Sequence, residues 1–98
     1  MIDWKLITGF EWGEGNARKS VEKHDVSQAQ TEQLFFNEPL LIIPDVMHSV
    51  VEIRLHALGK TDDGRKLHAT FTLRHQGTRI RVISARNMSR KEREYYEK

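Results

Sequence analysis

The chain has 98 residues, enough for one small core and too few for a multidomain enzyme. Its longest apolar run, Leu40 to Ile43 between Pro39 and Pro44, is far shorter than the roughly 20 residues of a membrane span, and no signal-peptide core is found. Without cysteine there is no disulfide, thiolate nucleophile or cysteine-rich zinc site, so a single cytoplasmic domain over residues 1–98 is expected. The formal charge of +2 hides a split: residues 1–49 hold 4 basic and 8 acidic side chains, and residues 50–98 hold 12 and 6. An excess of −4 in one half and +6 in the other points to a surface facing an anion, with nucleic acid the usual candidate and a merely solvated surface the plain alternative.

Phe10-Glu11-Trp12 alternates as a short strand does. From Glu14 to about His24, Ala17, Val21 and His24 recur at helical spacing, which predicts a helix with His24 on its packed stripe. Ser27 and Gln30 form a capping-box pattern that opens a second helix running to Phe36, with Asn37 as a left-handed terminator. Leu40 to Ile43 is apolar on both faces of a strand. Val50 to Leu58 then alternates, with Val51, Ile53, Leu55 and Ala57 on one face and Glu52, Arg54 and His56 on the other. The turn residues Thr61-Asp62-Asp63-Gly64 lead into Arg65 to His75, where Leu67, Ala69, Phe71 and Leu73 oppose Lys66, His68, Thr70, Thr72 and Arg74. After Gln76-Gly77 a further strand, Thr78 to Asn87, sets Arg79 and Arg81 against Ile80, Val82, Ser84 and Arg86. Ser89 with Glu92 caps a charged final helix carrying Tyr95 and Tyr96. The order predicts an α+β fold: an antiparallel sheet of about four to five strands, two N-terminal helices and one C-terminal helix, with one sheet face partly wet.

The polar positions of the central strands are Glu52, Arg54, His56, Lys66, His68, Arg74, Arg79 and Arg81. Such a face holds the groups that cut RNA without a metal: arginines for the phosphate charge, and imidazole or carboxylate for the proton of the 2′-hydroxyl and that of the leaving oxygen. An exposed sheet face is polar in any case, and cross-strand ion pairs stabilise it by only about 0.2–1 kcal/mol each. Lys23 points away from the packed stripe, free to reach an anion; His48 in a loop and His75 at a turn read as solvated. The five histidines lack metal-ligand spacing, so no metal or other cofactor is expected.

Three blocks taken together resemble the BrnT family of ribonuclease toxins from type II toxin-antitoxin modules: Phe10-Glu11-Trp12 with Lys23-His24 and Val26-Ser27; Gly59 with Gly64-Arg65; and Arg81-Val82-Ile83-Ser84-Ala85-Arg86 followed by Glu92-Arg93 and Tyr96. The resemblance covers about residues 10–97. It implies a RelE-like fold, cleavage of RNA, growth arrest, and neutralisation by a BrnA-like antitoxin that itself binds DNA, so that DNA is met only through the antitoxin. Gly13 stands where the family usually has Asp, Asn16 where it favours Lys, Ser20 where it has Asn, and Asp25 where it has Gly. His56 and His68 stand where apolar residues are commoner.

Together these readings name Lys23, His24, Glu52, Arg65, Arg81 and Arg86 as candidate catalytic residues. Arg81, Arg86 and Arg65 would contact phosphate, and Lys23, His24 or Glu52 would handle protons. Arg54, Lys66, Arg74 and Arg79 are candidate RNA-binding residues. The competing expectation, motivated by Gly13, Asn16 and Ser20, is a non-catalytic, decayed toxin that binds its antitoxin or RNA without cleavage. A weaker third is docking on duplex DNA within a repressor complex.

Overall fold

The computed structural model describes residues 2–48 and 52–98. Among them, five strands form one sheet in the order β1-β5-β4-β3-β2: β1 (Gly9–Trp12), β2 (Leu41–Asp45), β3 (Arg54–Lys60), β4 (Lys66–Arg74) and β5 (Arg79–Asn87). Helices α1 (Glu14–His24) and α2 (Gln28–Gln33) lie between β1 and β2 in the chain, and α3 (Arg90–Tyr96) follows β5. The α+β class and element order match the expectation. Val50 and Val51, at the head of the alternating run, lie outside the described residues, as does the side chain of His48.

One correction concerns strand direction. Strands β2 to β5 are antiparallel neighbours, but β1 runs parallel to β5, with Gly9 opposite Arg79 and Trp12 opposite Val82, so the sheet is mixed. Parallel neighbours need a long connection, here everything from α1 to β4. Beyond Trp12, α1 packs along β5, and the Asn16 amide donates to the Val82 carbonyl at 3.5 Å. This contact reverses the expected packing of α1: Ser20 is its buried residue, whereas Val21 and His24 are exposed. A strand edge offers backbone polar groups that need partners, so short polar side chains face it better than apolar ones.

The first sheet face carries the main core. Ala57, Leu67, Ala69, Phe71, Ile80, Val82 and Ala85 are buried there with Val26 and Leu34. Phe35, in the 3-10 turn Leu34–Phe36, meets Phe71 edge-on at 5.2 Å. Burying each large side chain of this kind stabilises the fold by roughly 1.5–3 kcal/mol. The second face carries a smaller cluster of Leu58, Met88 and Tyr96 with Leu41 and Ile43, where α3 folds over one end of the sheet. The Tyr96 hydroxyl donates to the Pro39 carbonyl at 2.6 Å. The double-sided run Leu40 to Ile43 is thereby explained, with Leu40 and Ile42 serving the main core and Leu41 and Ile43 the smaller one.

Both capping boxes form, Ser27 with Gln30 and Ser89 with Glu92. Asn37 departs from expectation: it is extended at φ −108°, and its amide donates to the Lys60 carbonyl and the Asp62 carboxylate. A left-handed terminator stands at the end of α1 instead, where Asp25 has φ 53°.

A bulge corrects the last strand. Thr70 pairs with Ser84 and Phe71 with Val82, which leaves Ile83 as an extra residue. Strict alternation from Ile80 would keep Ser84 and Arg86 with the core residues. Past the bulge Ala85 takes the buried face instead, and Ser84 and Arg86 turn to the side that holds Arg79 and Arg81.

Candidate functional site

With that phase change the second face gathers arginines into one field. Arg79, Arg81, Ser84 and Arg86 of β5 adjoin Arg74, Thr72, Thr70 and His68 of β4, and Thr70 pairs with His56 of β3. The face is drier at its centre than expected, since His68, Thr70 and Thr72 are buried while the flanking arginines stay at least partly exposed.

At the α3 end the two histidines meet. The His56 and His68 rings stand 4.8 Å apart, tilted by 38°. On the outer side of His56, Nε2 lies 3.1 Å from Asp45 Oδ2. On the outer side of His68, Nε2 lies 3.8 Å from Glu92 Oε2. Glu92 is held in turn by the fork of Arg86, whose Nη1 and Nη2 donate at 2.8 and 2.9 Å, and it accepts the Ser89 N–H as part of its cap. The Arg86 hydrogen bonds pull the Glu92 carboxyl down to about 2. Burial, reinforced by the Arg86 charge, pushes His68 down to about 4, so its ring is neutral at pH 7. His68 Nδ1 is buried without a hydrogen-bond partner.

At the other end Arg81 Nη1 lies 3.3 Å from Glu11 Oε1, and Glu11 also accepts from the ring of His75. Burial raises the Glu11 carboxyl, but the His75 and Arg81 contacts outweigh it and leave the group below its ordinary value. His75 is thus paired rather than merely solvated. A Cβ on Gly13 would stand 3.0 Å from Arg81 Nη2, so the missing side chain leaves the guanidinium its present place.

The remaining expected catalytic residues are dispersed. Arg65 closes the C-terminus of α1: it donates to the carbonyls of Asp25 and His24 at 2.5 and 3.0 Å, and its Nε donates to Asn87 Oδ1 at 2.9 Å. Lys23 and His24 are exposed at that helix end. Glu52 stands at the opposite end of β4, paired with Arg74 at 3.3 Å; the nine-residue strand between spans roughly 26 Å. Lys23, His24 and Glu52 are therefore not brought together. Lys66 pairs with Glu97 of the C-terminus, Arg54 lies opposite Asp45 in the ladder, and Arg79 lies over Gly9. Sequence reasoning missed Asp45 and assigned Glu92 to capping alone; the Ser89–Glu92 spacing signals the cap, and nothing local signals the grip on Arg86.

An apolar cleft of about 800 Å³ opens elsewhere, beside β2 and β3, lined by Trp4, Ile42, Ile53, Leu55 and Leu73. Among the described residues that line it, Glu52 is the one titratable group, so the clustered charges belong to the second face and not to this concavity. Among the described residues, no three His, Asp or Glu side chains are grouped as a metal ion would need, and no helix is long and apolar enough to cross a membrane.

Residues 12–92 match the family model described as the ribonuclease toxin BrnT of type II toxin-antitoxin systems. The chain belongs to the BrnT family. Its fold is similar to that of the Brucella abortus ribonuclease toxin BrnT, with a TM-score of 0.65 and 20% identity over 85% of this chain and 99% of that one. No individually curated protein matches. The BrnT match encloses the whole arginine field from Arg54 to Arg86, together with Glu92 and both stacked histidines. Gly13 and the exposed end of α1 lie inside it as well.

Proposed function

We propose that this BrnT chain is an endoribonuclease that cleaves RNA without a metal and arrests growth until an antitoxin neutralises it. The observation that carries the reading is that Arg81 and Arg86 share one sheet face, at either end of the strip that holds Thr70, Ser84 and the histidines. Guanidinium groups bind phosphate oxygens through paired donors and keep their charge at any relevant pH, so they suit both the ground-state phosphate and the extra negative charge of the transition state. Arg54, Lys66, Arg74 and Arg79 extend the basic field along the strand path, which suits an extended RNA more than a compact ligand. Arg65 reaches the reaction only indirectly, through the end of α1. Proton transfer falls to the face itself, with Glu52 at its rim and Lys23 and His24 beyond its other end.

A partner that silences this face needs acidic or amphipathic character to match it, which fits a BrnA-like antitoxin and leaves DNA contact to that partner. Purified protein incubated with RNA in EDTA is expected to yield cleavage, and its expression to stop growth. Intact RNA at high protein excess, with no growth arrest, would refute the reading.

One observation favours the second reading, a binding module without catalysis: Arg81 and Arg86 are each already paired with a carboxylate, Glu11 and Glu92. Arg81→Ala and Arg86→Ala discriminate. An enzyme loses toxicity in both while antitoxin binding persists; a pure binder behaves as wild type in both.

A further inference from the structure

His56 has both ring nitrogens engaged, Nε2 at 3.1 Å from Asp45 Oδ2 and Nδ1 at 3.0 Å from Thr70 Oγ1. An ionised carboxylate only accepts, so it holds a hydrogen on Nε2; Nδ1 then presents its lone pair, and the Thr70 hydroxyl donates to it. Carboxylate, imidazole and hydroxyl thus form one directed chain of hydrogen bonds. Three strands supply it: Asp45 from β2, His56 from β3 and Thr70 from β4, the last paired across the ladder with Ser84 of β5. The next row of the face holds His68 beside Arg86, so the chain ends within the arginine field.

We infer that Asp45, His56 and Thr70 form a proton relay in which the Thr70 hydroxyl meets the attacking hydroxyl of the substrate and His56 is the base behind it. This rests on the RNA-cleavage reading above. In the step, the 2′-hydroxyl proton passes to Thr70 Oγ1 as the hydrogen of Thr70 passes to His56 Nδ1. The 2′-oxygen bonds to phosphorus, the bond from phosphorus to the 5′-oxygen breaks with its electron pair leaving on oxygen, and that oxygen takes a proton from water. A 2′,3′-cyclic phosphate and a 5′-hydroxyl result. The imidazolium left at His56 is stabilised by Asp45 and returns its proton to solvent.

The surroundings favour that transfer. His56 is faced by Asp45 from β2 and His68 from β4, with Arg86 of β5 and Glu92 of α3 behind His68, and with Arg54 and Lys60 on its own strand. Because His68 stays neutral, an imidazolium at His56 meets no second charged ring at 4.8 Å. Asp45 is largely shielded, which strengthens its hold on Nε2, while about a quarter of the His56 side chain remains exposed, and Thr70, though 9% exposed, borders the exposed Ser84, from which side the substrate hydroxyl reaches it.

The test compares wild type with His56→Gln, Thr70→Val and Thr70→Ser on a short RNA in EDTA, alongside binding of the same sequence as uncleavable 2′-O-methyl RNA. The relay predicts that His56→Gln and Thr70→Val each lose roughly 100- to 10,000-fold in kcat with KM and analogue binding near wild type, and that Thr70→Ser retains activity within about tenfold. Unchanged analogue binding shows that the variants fold, the Ser variant shows that the hydroxyl and not the methyl matters, and a loss confined to kcat is a result that a purely structural threonine would not give. If wild type cuts RNA and both disabling variants cut it as well, the relay is overturned while the ribonuclease reading stands. If His56→Gln fails and Thr70→Val does not, the relay through Thr70 is overturned, because the imidazole then acts directly. If wild type leaves RNA intact, both readings fall together.

Discussion

Glu92 serves two partners with one carboxylate: it closes the cap of α3 and it grips Arg86. Its ionised form is therefore strongly preferred in the folded chain, and its carboxyl lies near 2 instead of the ordinary 4.5. A depressed carboxyl contributes stability that is present above pH 4.5 and is lost as pH falls through about 2. His68 is depressed too, from 6.5 to about 4, so the unfolded chain takes its proton first, and stability declines as pH falls from 6.5 toward 4. The two windows follow one another, and acid weakens the fold in two stages. Denaturant titrations at pH 7.5 and 4.5 are expected to differ by up to about 3 kcal/mol on account of His68, and His68→Leu should flatten that stage. An equal pH slope in His68→Leu would place the loss elsewhere. Little of this was legible beforehand, because period-2 counting set His68 and Arg86 on opposite faces and only the extra residue Ile83 joins them.

At the scale of elements the sequence was most informative where the pattern is local. Capping boxes, the turn at Thr61 to Gly64 and the core side of β4 follow from adjacent residues, and the structure has them all. The parallel placement of β1 and the seating of α1 along β5 follow from pairing across about 70 residues, on which local patterns carry no information. Arg65 shows the consequence. The carbonyls that end α1 are satisfied from the β3–β4 hairpin, so Arg65→Ala should cost roughly 1–2 kcal/mol through loss of those charge-assisted bonds. Lysine lacks the fork that reaches two carbonyls and Asn87 together, so Arg65→Lys should recover less than half of the loss; full recovery would mean that charge alone matters. Gly59 makes the matching case inside the core. A Cβ there would lie 3.1 Å from Leu34 Cγ and 3.2 Å from its Cβ, and Leu34 is fully buried. Gly59→Ala is expected to destabilise by about 1–3 kcal/mol, visible as a fall in the melting temperature.

Across the whole molecule, the charge split between the two halves of the chain becomes a relation between neighbouring surfaces. Acidic groups of the first half do not stay apart from the basic strands: Glu11 reaches Arg81 and Asp45 reaches His56. The second half adds its own restraint through Glu52 on Arg74, Glu92 on Arg86 and Glu97 on Lys66. On the proposed reading, a phosphate strand entering this face competes with carboxylates for Arg74, Arg81 and Arg86, and its binding energy there is the difference between two ion-pair sets. Such exchange keeps affinity modest while preserving salt dependence, since each phosphate that displaces a carboxylate still releases its counterions. For single-stranded nucleic acid, log Kd against log salt shifts by about 0.7 per phosphate contact. The double variant Arg81→Ala with Arg86→Ala should then lower the slope for 2′-O-methyl RNA by about 1.4, read by fluorescence anisotropy between 50 and 200 mM salt on the scale of those contacts. Glu92→Gln keeps an acceptor for the Ser89 N–H while removing the charge that holds Arg86, and it should tighten binding of the same RNA severalfold. Tighter binding in Glu92→Gln together with a reduced slope in the double variant would mean that the carboxylates restrain a phosphate-binding face. A slope unchanged in the double variant would mean that RNA binds on another surface of the molecule.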